Sequence, residues 1–191
     1  MNPTHDSPAQ SSPRDRILVA AHDLFYRDGV RATGIDKIIE QSKVAKVTFY
    51  RQYPSKDDLI RAYLDYRHVR WIHWFRTTLD AQVATGQSPA DALVATLAQW
   101  FSRDDFRGCA FLNSSAELGT ADPQILEIVR EHKDDMTSAI ETLVAPGNTR
   151  AAKARALALA VDGAIVHVQM GHPLPLVLDS LRTLISPMFA K

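Results

Sequence analysis

Residues 29–59 read GVRATGIDKIIEQSKVAKVTFYRQYPSKDDL, and three helix signals are crowded into them. Thr33-Gly34-Ile35-Asp36 has the spacing of a capping box, in which the Thr side chain accepts from the third helical N–H and the acidic side chain reaches back to the Thr N–H. Ile35, Ile38 and Ile39 then recur at helical spacing, which predicts a short helix ending near Ser42. Lys46 to Tyr53 gives a second short helix, stopped by Pro54, which lacks the N–H that a continuing helix needs. Ser55-Lys56-Asp57-Asp58 is another capping box and opens a third, longer helix. Two short helices joined by three or four residues make a helix-turn-helix, whose second helix has the dimensions to enter the DNA major groove.

Outward from this unit the whole chain reads as helical, with no alternating β-branched run. On the N-terminal side, Ile17, Ala21, Leu24 and Phe25 mark a helix from Arg14 to Asp28, closed by Gly29. Residues 1–13, MNPTHDSPAQSSP, are polar and rich in Pro and Ser, and read as a disordered arm without the apolar core of a secretory signal. On the C-terminal side a long helix is expected over 56–84, with Ile60, Leu64, Trp71, Phe75 and Leu79 on one stripe. Helices over 89–102, 109–118, 123–144, 149–170 and 173–189 follow, separated by Gly/Pro breaks; Ser88 and Asp122 stand as caps before Pro89 and Pro123. The reading is an all-α chain of about nine helices, with a three-helix DNA-binding unit at 14–56 and a helical ligand-binding and dimerisation domain at 57–191.

Composition narrows the function classes. The 191 residues are 46% hydrophobic and 23% charged, ordinary for a globular protein, and the net charge is zero. Its distribution is not even: residues 1–56 carry nine Lys/Arg against six Asp/Glu, a net +3, and residues 57–191 carry the compensating −3. A basic head on an acidic body is the expected footprint of a small DNA-reading unit. Cys109 is the only cysteine, so no internal disulfide forms and a reducing cytoplasm is expected. No apolar run approaches the roughly 18–20 residues that span a bilayer, so no membrane partner is expected. No GxSxG, P-loop, GxGxxG or HExxH occurs, and Asp104-Asp105 and Asp134-Asp135 read as solvated charges, so neither catalysis nor a metal or cofactor is expected.

Leu24-Phe25, Gly29, Thr33, Val44, Lys46, Thr48, Phe49-Tyr50, Tyr53-Pro54-Ser55-Lys56 and Leu59 together resemble the tetracycline-repressor (TetR) family of one-component bacterial regulators. The resemblance implies a homodimer that binds a palindromic operator and is released by a small-molecule effector. Three positions depart from the family pattern. Gly is usual where Lys43 stands, because the turn favours positive φ. Ser or Thr is usual where Ala45 stands, as a cap on the recognition helix. Gly is frequent where Val47 stands, so a β-branched side chain faces the groove instead. Read as residues, Lys46, Thr48, Tyr50 and Tyr53 carry donors suited to phosphate oxygens, and Val47 suits a thymine methyl. The resemblance assigns phosphate or base contacts to Thr48, Tyr50 and Lys56, the last at a helix N-terminus. Thr33, Lys43 and Ala45, at the ends of the two short helices, complete the candidate DNA-binding set.

Further along, the aromatic residues of the middle of the chain lie beside polar groups, as in small-molecule sites. His68, Trp71, Phe75, Trp100, Phe111, Asn113, Glu117 and His167 are the candidate ligand-binding residues, and an apolar or aromatic effector is expected; for any single ring, plain core packing is the alternative. The resemblance places such a cavity among the helices of 56–170. Cys109, near a helix start, reads either as a thiol sensor or as a small buried filler. Ala152, Ala156, Ala160, Gly163 and His167 form a small-residue stripe, and Val177, Leu181, Leu184 and Met188 an apolar one. Together they are the candidate dimer interface, as a four-helix bundle from two protomers. A rival reading is a helical small-molecule-binding or enzymatic protein whose helix-turn-helix is only structural.

Overall fold

The computed structural model describes residues 12–119 and 122–189. Among them the chain forms α1 (Pro13–Asp28), α2 (Ile35–Ser42), α3 (Lys46–Gln52), α4 (Lys56–Ala84), α5 (Pro89–Phe101), α6 (Ala110–Leu118), α7 (Pro123–Glu141), α8 (Arg150–Gln169) and α9 (Leu174–Ile185). A 3₁₀ turn over Ser186–Phe189 closes the described chain, where Pro187 interrupts the helix expected to continue to 189. No strand occurs among the described residues, and none of their helices is long and apolar enough to cross a membrane. Residues 1–11 of the expected arm lie outside the described residues; Ser12 and Pro13 instead open α1, with Ser12 and Asp15 capping each other reciprocally.

Local chemistry explains the helix starts. Ser55 and Asp58 form the expected capping box on α4, and Ser88 caps α5 by accepting from the Asp91 N–H. Asp122 accepts from the Gln124 N–H at the start of α7. The capping box expected at Thr33 does not form. Gly34 is the N-cap of α2 and supplies no side-chain bond. The Thr33 hydroxyl instead donates backwards to the Gly29 carbonyl at 2.7 Å, and the whole residue is buried against the end of α1. A short hydroxyl beside a buried, orphaned carbonyl satisfies that carbonyl in preference to an N–H that water can reach.

The first three helices pack around Ile17, Leu24, Phe25, Ile38 and Phe49, all buried. α4 then carries Leu59, Tyr63 and Leu64 under this head and Trp71, Phe75 and Leu79 into the body, so one continuous core runs through both parts. In the body α4 packs on α5 and α7, α7 on α6 and α8, and α8 on α9. Cys109 is buried within this core, at the N-cap of α6. The head is also pinned by polar bonds: Arg14 donates to the Gln52 carbonyl at the end of α3 at 2.9 Å, and its guanidinium lies over the Tyr53 ring.

Candidate nucleic-acid interface and associated sites

α3 is only seven residues long and presents two chemically distinct sides. Phe49 is fully buried and anchors the helix in the head, with the Tyr50 ring edge-on at 5.3 Å between centroids. Opposite it, Val47 is 79% exposed, and Lys46, Tyr50 and Arg51 are also exposed; Thr48 is half-buried. An apolar side chain so exposed and flanked by two cations and a phenol offers a methyl contact between hydrogen-bond donors, the mixture that base edges and phosphates accept. Lys46 pairs with Asp36 at 3.4 Å, but both are exposed, so this pair is weak and readily exchanged for a phosphate.

The turn that sets α3 against α2 bears out the expected strain. Lys43 has φ 54° and ψ 42°, left-handed, and is the only non-glycine with positive φ among the described residues. Ala45 is the N-cap of α3 and has no side-chain bond to offer. Both costs fall on the same turn, on the order of 1 kcal/mol each. Partial compensation comes from α1, where Arg16 donates to the Lys43 carbonyl at 3.5 Å.

Three members of the candidate DNA set are placed differently. Thr33 is buried, with its hydroxyl committed to backbone carbonyls, and so supports the head from within. Tyr53 is 2% exposed and is a core residue; its hydroxyl is sealed from solvent and has no partner among the described residues. The Lys56 ammonium donates to the Val30 carbonyl at 2.7 Å, bracing the α1–α2 turn, and partial burial pushes its pKa down. The head tightens these three around itself because each terminates an element beside carbonyls or rings of another. That crowding comes from tertiary packing, which the local sequence does not carry.

The candidate ligand residues separate into three places. His68, Trp71, Phe75, Trp100 and Phe111 do come together, around His132, a residue that no local motif singles out. The His132 ring stacks on Phe111 at 3.5 Å and meets Trp71 edge-on at 5.1 Å, and Trp71 stacks on Phe75 at 4.8 Å. Burial keeps His132 neutral and pushes its pKa down to about 2. Its Nδ1 faces the Nδ1 of His68 at 3.3 Å, and the His68 Nε2 lies 3.3 Å from Asp135. The Trp71 indole N–H is buried without a partner among the described residues.

Asn113 and Glu117 are not part of this ring cluster. They line a separate crevice of about 370 Å³ between the end of α1 and α6. There Glu117 accepts from the Arg31 N–H at 2.8 Å, and the Tyr26 hydroxyl donates to the Gly108 carbonyl while accepting from the Arg107 N–H, both at 3.0 Å. Tyr26 was not among the sequence candidates, since a tyrosine in the last turn of a helix carries no local sign of a partner 82 residues away.

His167 belongs to a third place, an apolar groove of about 490 Å³ between α8 and α9, with Ala160 and Gly163. Its rims are Leu159, 74% exposed, and Leu176 and Leu184, both more than half exposed. Val177 and Leu181, expected on the dimer face, are buried in the subunit core at the floor of the groove, and Met188 packs partly buried against that core. The exposed stripe of α9 is therefore Leu176, Ser180 and Leu184, turned one residue from the Val177–Leu181 stripe. Ala152 and Ala156 sit nearer the start of α8, outside the groove lining.

Comparison with known proteins agrees with this arrangement. The model of the family described as bacterial regulatory proteins, tetR family, matches residues 17–63, which cover α1 through the first turns of α4. Over 190 residues the chain is 25% identical to an HTH-type transcriptional regulator of the lacX 3' region in Lactococcus lactis, covering 93% of each. It is 29% identical over 110 residues to the HTH-type transcriptional repressor ComR of Escherichia coli, covering 55% of this chain and 50% of that one. The crystal structure of SCO4454, a TetR-family transcriptional regulator from Streptomyces coelicolor, superposes with a TM-score of 0.77 at 29% identity, covering 96% of this chain and 97% of that one. An exposed, donor-bearing recognition helix, an all-helical body and these likenesses agree: the chain is a DNA-binding transcriptional regulator whose residues 17–63 match the tetR family.

Proposed function

We propose that this regulator is a homodimeric repressor of a palindromic operator and that a small-molecule effector releases it. Residues 14–56 act as the DNA-binding unit and 57–191 as the effector-binding and dimerisation unit, joined by α4. The observation that carries the DNA reading is the α3 surface: Val47, Lys46 and Tyr50 exposed on a helix whose opposite side is locked by Phe49. Lys43 and Ala45 flank this surface and are exposed, and Thr48 lies at its edge. One such helix reads few base pairs, so two copies spaced by one turn of B-DNA, roughly 34–36 Å, supply the specificity.

The α8–α9 groove supports the dimer. Leu159, Leu176 and Leu184 leave large apolar side chains in water around a groove floored by Val177 and Leu181 and lined by Ala160 and Gly163, the surface that a second copy related by a two-fold axis would bury. The ring cluster around Trp71 and His132 supports an aromatic effector. Its rings stack on one another, and its indole N–H is buried without a partner among the described residues, a donor that a ligand parting the rings and carrying an acceptor would engage. Release requires the effector to bind the DNA-incompetent arrangement more tightly than the DNA-bound one. α4 is the lever, because it holds both Tyr63 beneath the head and Trp71 in the ring cluster.

The test is retardation of the DNA flanking the chain's own gene by purified protein at two salt concentrations, followed by footprinting. A salt-sensitive band with a two-fold symmetric footprint supports the reading. Absence of binding at low salt, also after denaturing and refolding to strip bound ligand, contradicts it and favours a structural helix-turn-helix.

A further inference from the structure

The crevice between the head and the body is separate from the ring cluster, and its polar groups ask for a particular ligand. Its volume, about 370 Å³, falls within the range of small-molecule sites. Phe25, Tyr63 and Phe106 give it aromatic walls, and Glu117 lines it with a carboxylate. That carboxylate has one bond, from the Arg31 backbone N–H, and no ion pair with any lysine or arginine among the described residues. Lys56 is close enough for its charge to be felt, but its ammonium is committed to the Val30 carbonyl. The other charges of the lining are engaged elsewhere. Arg27 grips Asp28 with two bonds at 2.7 and 2.9 Å, and the Arg107 guanidinium donates to the carbonyls of Asp104 and Phe106.

We propose that this crevice binds a compact aromatic amine, its ring against Phe25, Tyr63 and Phe106 and its ammonium on Glu117. A charge-assisted bond to a carboxylate that lacks a cationic partner is stronger than one to a neutral acceptor, so the ammonium dominates recognition. The position of Glu117 gives binding a consequence. Its Oε2 holds the Arg31 N–H, and its Oε1 is seated against Gly29, where a Cβ would stand 3.4 Å away. An ammonium competing for that carboxylate loosens the α1–α2 turn directly, without passing through α4. This site is distinct from the aromatic effector seat and does not depend on it.

The test is calorimetric titration of the full-length protein, without DNA, with 2-phenylethylamine and with its neutral analogue 2-phenylethanol. The amine is expected to bind at least about tenfold more tightly than the alcohol, and E117Q to lose that preference while keeping its helical circular dichroism. Equal binding of amine and alcohol, or an amine preference that survives in E117Q, overturns the proposal. If E117Q does not fold, the amine–alcohol comparison on the unaltered protein decides alone. Because no DNA is present, failure here is distinguishable from failure of the repressor reading.

Discussion

At the residue scale, the turn before α3 is where this chain departs most from an unstrained helix-turn-helix. Lys43 occupies the left-handed region that glycine enters without penalty, and Ala45 leaves the first N–H groups of α3 without a side-chain acceptor. Lys43→Gly should stabilise the protein by about 0.5–1 kcal/mol, the relief of strain being partly offset by glycine's greater freedom in the unfolded chain. That is a rise of about 1–4 °C in melting temperature for a chain of this size, read by differential scanning calorimetry. Ala45→Ser should add about 1 kcal/mol through a new cap, measured by urea unfolding. Both positions were legible through the family resemblance, which marks where the turn takes positive φ and where a cap is usual. Thr33 and Tyr53 were not. Their polar tips look available for DNA in the sequence, and only the fold shows Thr33 turned onto the end of α1 and Tyr53 enclosed beneath Arg14. Thr33→Val should therefore cost stability, on the order of 1–3 kcal/mol for the orphaned Gly29 carbonyl. In the folded fraction it should leave DNA affinity unchanged in gel retardation.

At the element scale, most helix limits follow from punctuation that the sequence displays: Ser55, Ser88 and Asp122 as caps, with Pro54, Pro89 and Pro123 at the starts and stops. What remained hidden is which side of a helix meets another. On α9 both Val177–Leu181 and Leu176–Leu184 have apolar spacing, and periodicity alone does not choose between them. The fold buries the first pair because α5 and α8 both pack on α9 from that side, leaving the second pair outside. The candidate ligand set dispersed for a similar reason: Phe111 and Glu117 share α6 but face different neighbours, one the His132 ring and the other the α1–α2 turn. If the α8–α9 groove is the dimer face, Leu159→Glu with Leu176→Glu should convert the dimer to a monomer of 21.3 kDa in sedimentation equilibrium, with the helical spectrum retained. A mass that stays at twice that value would place the dimer contact elsewhere.

At the scale of the whole molecule, a basic head and an acidic body share one core, so events in the body bear on the placement of α3. His132 sits at the centre of that body, neutral, with its folded pKa far below the ordinary 6.5. Below pH 6.5 the unfolded chain therefore binds a proton that the folded chain refuses, and stability falls as pH drops through that window. Between pH 7.5 and 5.5 this group should remove on the order of 1 kcal/mol, and His132→Phe should lose correspondingly less than the unaltered protein when urea midpoints are compared. In the proposed complex the exposed side of α3 grips DNA, and this contact sets the affinity. It is tested most directly by the slope of log affinity against log salt on the footprinted operator fragment, for the unaltered protein and for Lys46→Ala with Tyr50→Phe. Weaker binding by the double variant is expected, with a slope about one unit shallower per half-site, because each Lys46 lost frees one fewer counterion. An unchanged affinity and slope in a folded variant would contradict it.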